Sequence, residues 1–353
     1  MKKSMRTRAA ALVAAAASSV LVLSGFDSAM TAKDLMAKAQ EASGSLTQYS
    51  AKGTIDADAA VQIGADAATA TTMAGTVTGS FTMEFSMDPF ALHIQGSVEA
   101  NAMGQTFTPS ADIYVVTKDD GTGTTYAMVD TGTGSEEKPQ WAAAELPADQ
   151  VAEITKSMNF VKSGDISGAS AATGIDLQSY MDTLAQNSTV APSAVSVNGK
   201  DCYELTSTIT GDQISGMIEQ MIAANADAAA KVDESSLQMI EMILGGIKVE
   251  EVSDYSVDSF APVHTSVDLT GSDWSTVTEL LKSFIGTTAS TDGSTEAAAP
   301  QVTLTVNKLG FAMDLDTETP VTVTVPDEAL AAPVSSLSDT AALVESEAVT
   351  EAG

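Results

Sequence analysis

The chain switches between two hydrophobic periods. Thr31 can cap a helix in which Leu35, Ala39, Ala42 and Leu46 recur at helical spacing. From Ile55 the period becomes two. Ile55, Ala57, Ala59, Val61 and Ile63 alternate with polar or small residues, and Met73, Val77, Phe81, Met83, Phe85 and Met87 extend the pattern through Gly75 and Gly79. Such alternation gives one buried and one wet face, the behaviour of antiparallel strands. Asp88-Pro89 predicts a turn, after which Leu92, Ile94 and Val98 lie opposite His93, Gln95, Ser97 and Glu99. Strands at 113–116 and 126–129 flank Asp119-Asp120-Gly121, a hairpin turn.

Residues 132–147 are turn-rich and hold Trp141. Helical spacing returns over 151–161 and again at Leu177, Tyr180, Met181 and Leu184. A strand at 194–197, the hairpin pair Asn198-Gly199, and Tyr203, Leu205 and Ile209 follow. After an expected Asp212 cap, Ile214, Met217, Ile218, Met221 and Ile222 fall at i, i+3, i+4, i+7 and i+8. Leu237, Ile240, Ile243, Leu244 and Ile247 form a second helix, widened by Met239 and Met242 and ended by Gly245-Gly246. The last third predicts strands through Val249, Tyr255 and Val257; Val263, Val267 and Leu269; Val302, Leu304 and Val306; Phe311, Met313 and Leu315; and Val321, Val323 and Val325. A helix over 274–284 interrupts them. Strands with one apolar face and helices with broad apolar surfaces must pack on each other, which predicts a sheet covered on one side. Gly286 to Pro300 reads as a flexible Ser/Thr/Ala loop, and 331–353 as a disordered polar tail with little to bury.

Charge narrows the partners. Among 353 residues, 47 are acidic and 16 basic, for a net charge of −31, and a field of that sign repels nucleic acid and anionic headgroups. Lys2, Lys3, Arg6 and Arg8 precede an uncharged stretch from Ala9 to Phe26, the layout of a secretory signal. Residues 1–30 thus read as a signal or anchor segment of an exported bacterial protein, extracellular or on the cell-envelope surface. Removing the four cations leaves 12 of the 16 basic residues, so the mature surface is more acidic still. The run ends Leu23-Ser24-Gly25-Phe26-Asp27, similar to a lipoprotein signal with Phe26 where the lipid-accepting Cys would stand. Cleavage without lipidation, an uncleaved apolar anchor, and alteration from a lipoprotein all fit. Membrane contact is then expected only through that segment, if it is retained.

Three phrases carry a family resemblance: Leu35 to Tyr49 before the first strand, Asn198 to Leu205 before the helical insert, and Val321 to Ala329 at the close of the sheet. With the order of elements they resemble the LolA/LppX-like lipoprotein superfamily over residues 31–330. The resemblance implies a single α+β domain, a large curved antiparallel sheet forming an open half-barrel with helices covering its concave face. It also implies that the space between sheet and helices takes a lipid or other apolar ligand, and that the protein is not an enzyme. The missing lipobox Cys, the acidity and the long loop depart from the pattern.

Reactive chemistry has thin support. His93 and His264 sit in strands with polar neighbours at ±2, which puts both on the wet face, and no HExxH or paired-His spacing occurs. The single Cys202 excludes an internal disulfide and, with only Lys200 near, reads as structural. No Gly-x-Ser-x-Gly elbow is present. Asp119-Asp120 and Asp314/Asp316 lack EF-hand spacing, and Glu250-Glu251 point to opposite faces. Trp141 suits a rim aromatic for a ligand or sugar, or an anchor pinning its loop to the sheet, with the anchor the favoured reading. No catalytic residue, metal or cofactor is expected.

The ligand-lining candidates are Ile214, Met217, Ile218 and Met221 on one helix, with Leu237, Ile240 and Ile243 on the next. Phe81, Phe85, Tyr255 and Phe311 are their expected partners on the strands. The 16 Met residues, Met217, Met221, Met239 and Met242 among them, suit either an adaptable pocket or an ordinary core. The alternative function is a surface or sensory module with a closed core, engaging a cell-envelope protein or the cell wall.

Overall fold

The structure, a computed structural model, describes residues 26–27, 29–64, 70–132, 139–152, 155, 177–224, 234–289 and 301–336. Helix α1 (Ala32–Ser45) leads into β1 (Gln48–Gly64), β2 (Thr71–Met87), β3 (Phe90–Ala102), β4 (Gln105–Phe107), β5 (Ser110–Thr117), β6 (Gly123–Asp130) and β7 (Ala142–Leu146). Helix α2 (Leu177–Gln186) is followed by β8 (Ser188–Val190), β9 (Val195–Val197) and β10 (Lys200–Thr210). Helices α3 (Gly211–Ala224) and α4 (Glu234–Leu244) precede β11 (Lys248–Ser256) and β12 (Pro262–Asp268). Helix α5 (Ser275–Ala289), β13 (Gln301–Asp316), the turn α6 (Asp327–Leu330) and β14 (Val334–Ser336) complete the series.

The 14 strands among the described residues join one curved, unclosed sheet in the order β14-β7-β6-β5-β3-β2-β1-β13-β12-β11-β10-β8, with β4 on β3 and β9 on β10. Pairing is antiparallel except between β14 and β7. The fold is therefore α+β: two meanders, β1 to β7 and β8 to β13, joined where β1 lies against β13. Turn chemistry follows the sequence. Asn198 (φ 52°) and Gly199 (φ 80°) make the two-residue hairpin between β9 and β10. The Asp120 carboxylate accepts from Thr122 N–H at 2.9 Å between β5 and β6. Asp34 N–H donates to the Thr31 hydroxyl at 3.1 Å, capping α1 as expected.

The β1–β13 seam contains one irregularity with a clear reason. Apolar residues of β13 occupy even positions at Val302, Leu304 and Val306, then odd positions at Leu309, Phe311, Met313 and Leu315. In an unbroken strand one set would face water. A bulge between Asp58 and Ala59 leaves Asn307 as the extra residue, so that Val306 opposes Ala59 while Leu309 opposes Ala57. Both apolar sets then share a face with Ile55 to Ile63. Asn307 donates to Asp58 at 3.2 Å, and Lys308 pairs with Asp56 on the other side.

Two cores close the ends of the sheet on opposite faces. On the apolar face, Leu35 of α1 is fully buried against Tyr203, Leu205 and Val257. Phe26 stacks on Tyr203 at 4.8 Å, Phe260 stacks on its other neighbourhood at 5.7 Å, and Asp27 N–H donates to the Tyr203 hydroxyl at 2.7 Å. The packed chain thus begins before Thr31. On the polar face, Tyr114 and Tyr126 pack with Ala143, Ala329, Val323 and Val325, and Trp141 lies 5.8 Å from Tyr114, anchoring its loop as expected.

Several expectations change. Residues 301–316 form one strand instead of two, because the bulge reverses the phase of the pattern without ending it. Val321 to Val325 alternate but join no ladder; their apolar side packs on the Tyr114–Tyr126 core instead. Thr210, not Asp212, precedes α3, and its N–H donates to the Gln213 side chain at 2.8 Å, half of a capping box. Strand β7 lies within the turn-rich 132–147 stretch, and α5 runs to Ala289 into the expected 286–300 loop. Within the expected tail from 331, Val334–Ser336 form β14; residues after 336 lie outside the described ones, as does most of the helix expected over 151–161.

Leu35 is 0% exposed, and no smaller side chain fills its place between α1 and the strands. Leu35→Ala should cost about 2–5 kcal/mol, read as a lowered urea midpoint at unchanged slope.

Candidate functional site

Register places the expected sheet-side residues on one apolar face. Phe81 of β2 opposes Gly53 of β1 and Gly96 of β3, while Phe311 of β13 opposes Ile55. Having no side chain, Gly53 leaves room for the Phe81 ring to lie across it; a Cβ there would fall 2.1 Å from the ring. Phe81 thereby reaches Phe311, and the rings stack at 5.9 Å and 12°. Beyond this pair the face is thin, with Gly79 opposite Ile55 and Val98. Ile55 (41%), Val77 (36%) and Met73 (40%) remain exposed to a degree unusual for the apolar side of a sheet.

Phe85 and Tyr255 share that face but not that place. Phe85 is buried against Tyr49 at 5.1 Å and Phe90 at 6.0 Å, and Tyr255 packs into the Leu35 core. Burial of its ring raises the Tyr255 pKa. These two belong to closed packing, whereas Phe81 and Phe311 form the centre of the open stretch.

One helix covers part of the same face, while the hollow beside Ile55, Val267 and Phe311 is lined, among the described residues, by those of β1, β2, β12 and β13 alone. Helix α5 packs on β13, where Val302 is buried between exposed Gln301 and Thr303, so the covered side is the apolar one. Helix α4 packs on both α5 and α3, and α3 contacts β10. Ile214, Met217, Ile218, Leu237, Ile240 and Ile243 are half-buried; the Met221 side chain lies outside the described residues. Met239 and Met242 are 45% and 54% exposed and face solvent, so they do not widen the covered surface as their spacing suggested.

The wet face holds His93, His264, Asp112 and Asp314. Both histidines lie there as expected, yet neither is simply solvated. His93 bridges Glu84 (3.1 Å) and Asp112 (2.9 Å) while stacked on Tyr114 at 4.1 Å, and His264 bonds Asp314 at 2.7 Å. Asn198 also donates to Asp314, and these bonds hold its carboxyl below the usual range. Cys202 is fully buried, and burial together with nearby Asp254 pushes its thiol up to about 11, which makes it inert. Among the described residues no three of His, Cys, Asp or Glu are grouped to hold a metal ion. No described helix is long and apolar enough to cross a membrane.

Asp254 was not singled out by the sequence, because nothing in its local pattern marks it as buried. It is 3% exposed, and its Oδ1 has no hydrogen-bond partner among the described residues. Burial, then the Glu204 charge, raise its pKa to about 6, against a smaller opposing pull from His264 across the strand.

Residues 31–167 match a family described as "Family of unknown function (DUF6612)". No curated protein matches the chain. Among solved structures, LprF from Mycobacterium bovis aligns with 84% of this chain and 96% of its own, at 11% identity and a TM-score of 0.28.

The raised pKa of Asp254 has a defined sign. The native state holds the proton more tightly than the unfolded chain, so stability falls as pH rises from about 4 to about 6 and stays lower above. Asp254→Asn should raise stability by about 2–3 kcal/mol at pH 7.5 and change little at pH 4, as measured by urea unfolding at both values.

Proposed function

We propose that the protein is an exported, non-enzymatic carrier of a lipid or other apolar ligand, held between the sheet and helices α3 and α4. The observation that carries this reading is the open apolar stretch around Phe81 and Phe311, where Ile55, Met73 and Val77 stay 36–41% exposed. A face of this kind loses free energy to water that an acyl chain would recover, at about 0.8 kcal/mol per buried methylene. No special polar group is needed for that mechanism. On the helix side the half-buried Ile214, Met217, Ile218, Leu237, Ile240 and Ile243 supply the facing surface, with Met221 expected beside them. Entry of the ligand then requires α3 and α4 to shift from the sheet.

The resemblance of residues 35–49, 198–205 and 321–329 to the LolA/LppX-like superfamily supports the same reading, as does the signal-like segment before Phe26. A single domain, expected over 31–330 and widened by the packing of Phe26 and of β14, and located at the cell envelope or outside the cell, is part of the proposal.

Native mass spectrometry of protein purified from its own host without detergent, followed by solvent extraction, should reveal a discrete apolar adduct. Ile55→Asn combined with Met217→Gln should weaken uptake of a fluorescent fatty acid about tenfold or more while leaving the far-ultraviolet circular dichroism unchanged. A clean apo mass together with no uptake would favour the closed-core interaction module.

A further inference from the structure

The opposite face of the sheet carries a groove of about 470 Å³ crossing β13, β1, β2, β3, β5 and β6. Two rows of directly opposed residues bound it. One row runs Asp314, Lys52, Thr82, Gln95, Asp112, Met128; the other runs Ala312, Thr54, Ser80, Ser97, Ser110, Asp130. Between them the backbone of Gly53, Phe81, Gly96 and Ala111 makes the floor, with the Phe81 side chain directed through to the apolar face. With adjacent strands about 4.8 Å apart, the groove is about 24 Å long and perpendicular to the strands.

Its chemistry is specific in what it offers and what it refuses. The hydroxyls of Thr54, Ser80, Thr82, Ser97 and Ser110 are exposed, and none bonds another described residue. Each can donate once and accept twice. An apolar chain laid here would strip those hydroxyls of water without replacing its hydrogen bonds. A polyanion would meet Asp112, Asp130 and Asp314 against Lys52, on a chain of net charge −31. The three carboxylates stand toward the two ends, and each already accepts a bond from the protein: Asp112 with His93 at 2.9 Å, Asp130 from Gly132 N–H at 2.8 Å, Asp314 with His264 at 2.7 Å. Between Lys52 and Asp112 the groove is neutral, lined by Thr82, Ser80, Gln95 and Ser97, so a cationic peptide finds little to pair with there.

We infer that this groove binds a linear, neutral, β-linked oligosaccharide lying across the strands. The strand spacing is close to the length of one hexose unit in an extended β-linked chain, so successive sugars meet Lys52 with Thr54, Thr82 with Ser80, Gln95 with Ser97, and Asp112 with Ser110. The groove and the apolar stretch occupy opposite faces, so this inference stands or falls apart from the carrier function.

Calorimetric titration of the full chain with cellopentaose and chitopentaose is the test. At least one pentaose should bind saturably and about tenfold or more tighter than its disaccharide. Ser80→Leu with Ser97→Leu, both at exposed positions, should fill the groove and lower that affinity about tenfold or more, while fatty-acid uptake on the other face stays the same. No saturable binding of either pentaose would overturn the inference, as would an affinity unchanged in the double variant. Binding of pentalysine with neither sugar bound would assign the groove to a cationic peptide instead.

Discussion

The seam between β1 and β13 is the constraint on which the rest of the sheet depends. It joins the first strand to the last long one, and so turns two local meanders into one surface with a single apolar side. A one-residue error in that pairing would invert every side chain beyond it. The bulge at Asn307 absorbs the reversed phase of β13, which lets Val302, Leu304 and Val306 stay on the side of Phe311. Strands β1 and β2, each 17 residues, then act as the spine from which both faces take their character.

The two faces are stabilised differently. The apolar face is sealed at the β8–β10 end, where α1 inserts Leu35 and where Phe26, Tyr203 and Phe260 stack. The polar face is sealed at the β5–β7 end, where Val323, Val325 and Ala329 cover Tyr114 and Tyr126. Tying each end down on a different side leaves the centre of the sheet, around Gly53, Gly79 and Gly96, with neither core over it. Glycines there bring the floor down on one side and make room for a flattened Phe81 on the other. A single structural choice therefore supplies the apolar opening and the polar groove back to back.

Much of the architecture was legible because period-two alternation reports which side of a strand is dry, and long amphipathic strands repeat that report many times. The same logic explains the misreadings. Val321 to Val325 alternate because one side is buried, but burial does not require a ladder, and here the segment lies on the sheet's face instead of at its edge. Strand β7, Ala142–Leu146, is mostly alanine and shows no alternation, and β8 and β14 are three residues each, too short for a period. For the candidate site, the pairing of Phe81 with Phe311 was accessible as shared facing. The removal of Phe85 and Tyr255 into closed cores was not, since both have the same local pattern and differ only in what α1 and Phe90 bring to them. Asp254 was invisible for the same reason: its burial is decided by neighbours distant in sequence.

A long sheet with an exposed apolar stretch invites association with other copies, and the molecule opposes this in two ways. Its edges are minimal: β8 and β14 offer three residues each, and β8 is further covered by α1 and α2. Its charge of −31 sets copies repelling one another at a distance beyond contact. Acidity this strong would burden a compact core with self-repulsion, yet of the described acidic side chains only Asp254 is buried, and screening at the solvated positions keeps that cost low. The acidic surface and the open apolar face are thus linked, since the first is what allows the second to remain uncovered.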